Sequence, residues 1–195
     1  MRQFLILFLF IPLGFYSQNW ETQFLHSIHR DSSIQKDLSF QFLSRTAAPL
    51  GVAFPISLTA TAWINKDDFM FRQGLRSCFA FGFANSISLI LKNTVKRERP
   101  FHAYPQLFRK KAKAGELSFP SGHTTAAFAT ATSMALTYKK WYVTLPAFAW
   151  AGGVAVSRMY LGVHYPSDLL GGMIIGVGSS FLTWKIDEYL MRKQR

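Results

Sequence analysis

Residues 117–138 read LSFPSGHTTAAFATATSMALTY. The stretch has no Asp, Glu, Lys or Arg, and His123 is its one histidine. An apolar helix needs about 20 residues, within a range of roughly 17–25, to cross the hydrocarbon core of a bilayer. The stretch therefore predicts a membrane span, opened by a polar turn at Pro120-Ser121-Gly122. Charge-free runs recur at residues 3–20, 46–65, 77–91, 141–157 and 169–184. Several of these are short for a full crossing, and their less polar neighbours supply the missing length. The pattern predicts an all-α, multi-span transmembrane helical bundle, with five spans within residues 46–190, and not a soluble domain.

The rest of the composition agrees. The chain has 195 residues, 49% of them apolar and 16% charged, which is too hydrophobic for a disordered polymer. Its single cysteine, Cys78, leaves no intrachain disulfide framework and no CxxC site. Lys and Arg number 22 against 10 Asp and Glu, for a net charge of +12, while mean hydropathy is +0.11. A basic nucleic-acid-binding surface and a membrane protein with cationic loops both produce such a charge. Because the cations lie between the apolar runs, the membrane reading is preferred and no nucleic-acid partner is expected.

Details of the spans fit lipid. Trp63, Trp141, Tyr142 and Trp184 stand near segment ends, where interfacial aromatics belong. Trp150 is mid-segment and is expected to pack on another helix. Gly172 and Gly176 form a GxxxG spacing, with Ser180 one step further on, which permits close helix approach but also arises by chance in apolar sequence. Pro49, Pro55 and Pro146 are tolerable inside a bundle. Residues 1–17 read as a signal peptide or a first transmembrane helix. Either reading makes residues 18–45 an extracytoplasmic N-terminal segment, mixed in polarity. Residues 191–195 form a basic cytoplasmic tail.

With residue 45 outside, the loops holding Lys66, Arg72 and Arg76, then Lys139 and Lys140, fall inside, as the positive-inside rule requires. The outside loop 92–120 breaks that rule. It carries Lys92, Lys96, Arg97, Arg99, Arg109, Lys110, Lys111 and Lys113 against Glu98 and Glu116. Such a violation asks for a functional cause, and an anionic ligand is one.

Three clusters lie on that side. Lys92 and Arg99-Pro100 are seven residues apart, near two helical turns, so one helix face could present both to a phosphate. Taken alone, they read more readily as a basic cap at a membrane boundary. Ser121 is a good N-cap, Gly122 admits close backbone approach, and free N–H groups at a helix start bind anions, with His123 in the first turn. His164 and Asp168 are four apart across the start of the last span, and Pro166 suits a first helical turn. A carboxylate within reach of a histidine fixes its tautomer and raises its basicity. Arg158 adds a guanidinium to the same loop.

The ordered set K-x6-RP, PSGH and SR-x5-H-x3-D resembles the type 2 phosphatidic acid phosphatase (PAP2) family. Its superfamily also includes bacterial acid phosphatases and vanadium haloperoxidases. The matching residues are Lys92, Arg99 and Pro100; Pro120, Ser121, Gly122 and His123; Ser157, Arg158, His164 and Asp168. By motif the resemblance covers residues 92–168, by helix order roughly 46–190, and it is silent on 18–45. It implies that His164 is the nucleophile, Asp168 orients it, and His123 is the general acid. It further implies that Lys92, Arg99, Ser121, Gly122 and Arg158 bind the phosphoryl oxygens. It implies no metal and no cofactor.

The resulting expectation is a multi-pass cell-membrane phosphatase with its site on the extracytoplasmic side. The substrate would be a phosphorylated lipid: undecaprenyl diphosphate, phosphatidylglycerol phosphate, phosphatidic acid or a lipid A phosphate. Two alternatives stay open at the sequence level. One is a less selective phosphatase of soluble esters, and the other a non-catalytic transporter or lipid-binding protein.

Overall fold

The computed structural model describes residues 20–30 and 33–193. The predicted signal peptide or first helix at 1–17 lies outside the described residues. Helix α1 covers residues 20–30. It is followed by α2 (Ile34–Arg45), α3 (Ala47–Ile64), α4 (Asp68–Val95), α5 (Pro100–Ala103), α6 (Gly122–Tyr138), α7 (Trp141–Tyr160) and α8 (Pro166–Lys193). No strand occurs among the described residues, only a single antiparallel bridge between Glu98 and Leu117. The five predicted spans fall on helices α3, α4, α6, α7 and α8.

Local chemistry sets the ends. Ser33 accepts from the Lys36 amide and caps α2, and Asp67 accepts from the Met70 amide at 2.9 Å to cap α4. Helix α4 stops at Lys96 and α6 at Lys139, both left-handed, each returning its N–H to a carbonyl four residues back. Pro55 sits inside α3, and Thr59 Oγ1 donates to its carbonyl at 2.7 Å.

Helix α6 is the centre of the bundle. It packs against α3, α4, α7 and α8. Eleven of its 17 residues are buried, mostly Ala, Thr and Ser. Of its large apolar side chains only Tyr138, at the C-terminal end, is exposed. The other helices turn Leu50, Ile56, Phe79, Leu89, Leu145 and Ile174 outward. Water would not tolerate such a surface and lipid does. Three helical runs, Ile34–Ile64, Asp68–Val95 and Pro166–Lys193, are long and apolar enough to cross a bilayer. At 1.5 Å per residue α6 spans about 26 Å, somewhat under the hydrocarbon thickness, as a helix shielded by its neighbours can.

The GxxxG spacing is a true contact. A Cβ on Gly172 would lie 2.8 Å from Ser121 O, and one on Gly176 would lie 2.5 Å from Thr125 O. Ser180 Oγ donates to Ala129 O at 3.0 Å across the same α6–α8 seam. Trp150, as expected, packs on another helix, with Nε1 donating to Thr46 Oγ1 at 2.9 Å. At the end of the bundle away from loop 92–120, Arg72 holds Asp187 through two nitrogens at 3.0–3.2 Å, and Arg76 holds the same carboxylate.

Candidate active site

The three sequence clusters meet at one end of the bundle, though not in the predicted way. Lys92 and Arg99 do not share a helix face. Helix α4 ends at Val95 and the chain turns at left-handed Lys96. Arg99 then adopts extended backbone, as a residue preceding proline must. The turn, not the helical repeat, brings the two cations together.

Lys92 Nζ donates to the carbonyls of Leu117, Ser118 and Pro120 at 3.2, 3.3 and 2.9 Å. It thereby holds the turn that starts α6. Ser121 caps α6, its Oγ accepting from the Thr124 amide at 3.4 Å and from Thr124 Oγ1 at 2.9 Å. A hydroxyl has two acceptor positions and one proton, so the Ser121 proton remains available for donation. A Cβ on Gly122 would meet nothing closer than Ser88 Oγ at 4.0 Å, so packing does not require glycine there and the backbone is open to a ligand.

His164 is 1% exposed, in the turn between α7 and α8. Its Nε2 lies 3.0 Å from Arg99 Nη1, which also donates to Val163 O at 2.7 Å. Its Nδ1 faces Asp168 Oδ2 at 3.4 Å, long for a hydrogen bond. Burial, aided by the charges of Arg99 and Arg158 and opposed by Asp168, pushes the imidazole down to about 3. The ring is therefore neutral at physiological pH, with a lone pair on Nε2 directed at a guanidinium.

Asp168 is fully buried and well held. Oδ1 accepts from Arg97 Nη1 at 2.8 Å, while Oδ2 accepts from the Tyr165 amide at 2.9 Å and from Ser118 Oγ. Arg97 stacks 4.0 Å over the Tyr165 ring and donates through Nη2 to Glu21 at 2.7 Å. Glu21 also accepts from the Ser167 amide at 2.8 Å. Arg158, 2% exposed, donates to Ser44 Oγ at 2.5 Å. Sequence reasoning missed Arg97, Ser118, Glu21 and Ser44. Arg97 and Ser118 adjoin motif residues, whereas Glu21 and Ser44 carry no local signal at all.

Cations dominate the site. The charges of Arg158, Arg99 and Lys92 all act on His123. The buried Nε atoms of Arg99 and Arg158 have no hydrogen-bond partner. Buried donors are almost always satisfied, and unsatisfied cationic donors around a neutral histidine call for an anion with several acceptor oxygens. His123 and Arg158 open onto a cavity of about 670 Å³. Among the described residues no three His, Cys, Asp or Glu come together as metal ligands.

A helical bundle with an apolar outer surface thus gathers Lys92, Arg99, Arg158 and two histidines at one end, an arrangement whose charge suits an oxyanion. The model of the PAP2 superfamily matches residues 73–192, and the chain belongs to that superfamily. It is 31% identical over 114 residues to an undecaprenyl-diphosphatase of Sulfolobus acidocaldarius, covering 58% of this chain and 55% of that protein. It is 38% identical over 101 residues to a decaprenylphosphoryl-5-phosphoribose phosphatase of Mycolicibacterium smegmatis, covering 50% and 53%. The chain thus spans about half the length of these relatives. Its fold is that of a transmembrane PAP2-type phosphatidylglycerolphosphate phosphatase from Bacillus subtilis, with a TM-score of 0.77, 22% identity, and coverage of 89% and 87%. The protein is a multi-pass membrane protein of this fold.

Proposed function

We propose that the protein hydrolyses the phosphate or diphosphate group of a membrane lipid through a phosphohistidine, without a metal. One observation carries the reading: His164 Nε2, neutral and lined up on Arg99, sits among buried guanidinium donors that lack partners. Nε2 attacks phosphorus, and the phosphoryl oxygens take the donors of Arg99, Arg158, Ser121 and the amides near Gly122, while Lys92, whose three protons go to the carbonyls of Leu117, Ser118 and Pro120, contributes its charge to phosphate binding. Charge that builds on those oxygens in the transition state is stabilised by groups already in place. Asp168, facing Nδ1 at 3.4 Å, stabilises the ring as it becomes positive. His123 gives its proton to the leaving oxygen, then takes one from the water that cleaves the P–N bond. A pocket this cationic repels divalent metals, which supports the metal-free reading.

The phosphatase unit is residues 46–190, completed from outside that range by Glu21 and Ser44, with the site on the extracytoplasmic side; the cationic loop 92–120 finds its reason there. The named relatives support a lipid substrate, since each acts on a phosphorylated lipid by its name, and the apolar outer surface supports delivery from the bilayer. The test uses purified wild type and His164→Ala in detergent, with a panel of lipid and soluble phosphates and EDTA present. The expected result is phosphate release by wild type only, retained in EDTA and inhibited by vanadate, which mimics pentacoordinate phosphorus. Equal release by both proteins would remove His164 from the nucleophile role. Loss of release in EDTA would contradict metal independence, and a preference for soluble esters would favour the unselective phosphatase instead.

A further inference from the structure

The phosphoryl pocket is only one end of the cavity onto which it opens. At about 670 Å³, that cavity lies in the range of whole small-molecule sites, roughly 300–1,000 Å³. Beyond His123 and Arg158 its wall is made by Gln41, Ser44 and Arg45 at the end of α2 and by Lys110–Lys113 of the long loop. Among the described residues no carboxylate lines it. Two separate segments thus deliver cations to one space, where mutual repulsion opposes their approach.

Specific contacts hold that arrangement. Gln41 Nε2 donates to Lys111 O at 2.9 Å, and Lys111 Nζ donates to His29 O at 3.3 Å and pairs with Asp37 at 3.3 Å. The Arg109 amide donates to His29 Nε2 at 3.0 Å, and His29 Nδ1 donates to Tyr160 O at 3.0 Å. Lys111 is thereby committed to anchoring the loop. Its neighbours Lys110 and Lys113, and Arg45 opposite, line the cavity, and among the described residues none of the three has a carboxylate partner, Arg45 Nη2 lying 3.5 Å from Gln41 Oε1. Lys110 Nζ lies 5.0 Å from the Phe101 ring centroid, where it can still turn toward an anion.

We infer that Arg45, Lys110 and Lys113 form a second anion subsite, which takes a further phosphoryl group on the headgroup of the same lipid. Resting on the phosphatase reading above, this makes lipid diphosphates, or headgroups with two phosphates, the preferred substrate class. The scissile phosphoryl lies on His164, and the additional phosphoryl lies toward Lys110 and Lys113.

The test compares wild type with the Lys110→Ala/Lys113→Ala double variant and its Arg counterpart. Kinetics use a polyprenyl diphosphate and the matching monophosphate in neutral detergent. A second arm measures binding of inorganic pyrophosphate and of phosphate by thermal shift, which needs no turnover. The diphosphate-to-monophosphate ratio of kcat/KM should fall by about tenfold or more in the Ala variant and be kept by the Arg variant. The pyrophosphate preference should fall with it. An unchanged ratio overturns the subsite. So does a loss that occurs only when anionic lipid is added, which would make these lysines a general membrane-surface attraction. If no lipid is hydrolysed yet the pyrophosphate preference exists and depends on Lys110 and Lys113, the subsite stands and the phosphatase reading falls.

Discussion

Arg97 falls at an unspecified position of the Lys92–Pro100 motif, yet it donates to Asp168 Oδ1 at 2.8 Å. Asp168 has no solvent exposure, so its charge and its orientation depend on the groups that donate to it. Arg97 is itself held by Glu21 and by stacking on Tyr165, which makes it a positioning residue acting on His164 through Asp168. By analogy with outer partners of other carboxylate–histidine pairs, Arg97→Ala should lower kcat by about 10–100-fold. KM should move far less, because the phosphoryl donors are untouched, and Arg97→Lys should recover part of the loss. A rise in KM at unchanged kcat would instead make Arg97 a substrate-binding group. The motif residues were legible because each has a chemical signature at fixed spacing. Arg97 was visible only as one of eight cations in a crowded loop, and nothing in a linear reading separates an inward arginine from a solvated one.

At the scale of elements, the five long helices α3, α4, α6, α7 and α8 were legible from the charge-free runs, because lipid leaves few alternatives to an apolar helix, and three helical runs are long and apolar enough to cross a bilayer. The run from Lys92 to Arg99 was not, since a left-handed residue at Lys96 obeys tertiary contacts and not propensity. The GxxxG spacing was ambiguous in sequence and is decided by the α6–α8 contact. Gly176→Ala should be destabilising by about 1–3 kcal/mol, because its Cβ meets backbone that a side-chain rotation cannot move. Alanine's better helix propensity offsets at most about 1 kcal/mol of that. Gly178 has nothing within 4 Å of its added Cβ, so Gly178→Ala should be neutral or mildly stabilising on the same helix. Thermal unfolding in one detergent compares the two directly. Equal melting temperatures would mean that the seam relaxes and that Gly176 is not a spacer.

For the molecule as a whole, the excess positive charge is directional. Lys92, Arg97, Arg99 and Arg158 turn into the site, Lys111 is spent on anchoring, and Lys110, Lys113 and Arg45 face the cavity. The opposite end holds Arg72, Arg76 and Asp187, with Lys139 5.9 Å from the Trp184 ring centroid. Helices α1 and α2 complete the site from residues whose mixed polarity gave no fold signal: Leu25 is fully buried against Phe108 and Tyr165, and Ser44 meets Arg158. The two ends must face opposite compartments if the bundle crosses a bilayer. The positive-inside rule alone is ambiguous about which, because both ends are basic. The loops at the Arg72 end are short, however, and it is the long loop 92–120 that has a reason to carry charge. In a Cys78→Ser background, Glu116→Cys should therefore react with a membrane-impermeant maleimide in intact cells, and Lys140→Cys only after permeabilisation. Both positions are exposed, so neither depends on local unfolding for labelling. The reverse pattern would place the site on the cytoplasmic side and leave a lipid phosphate of the inner leaflet as its substrate.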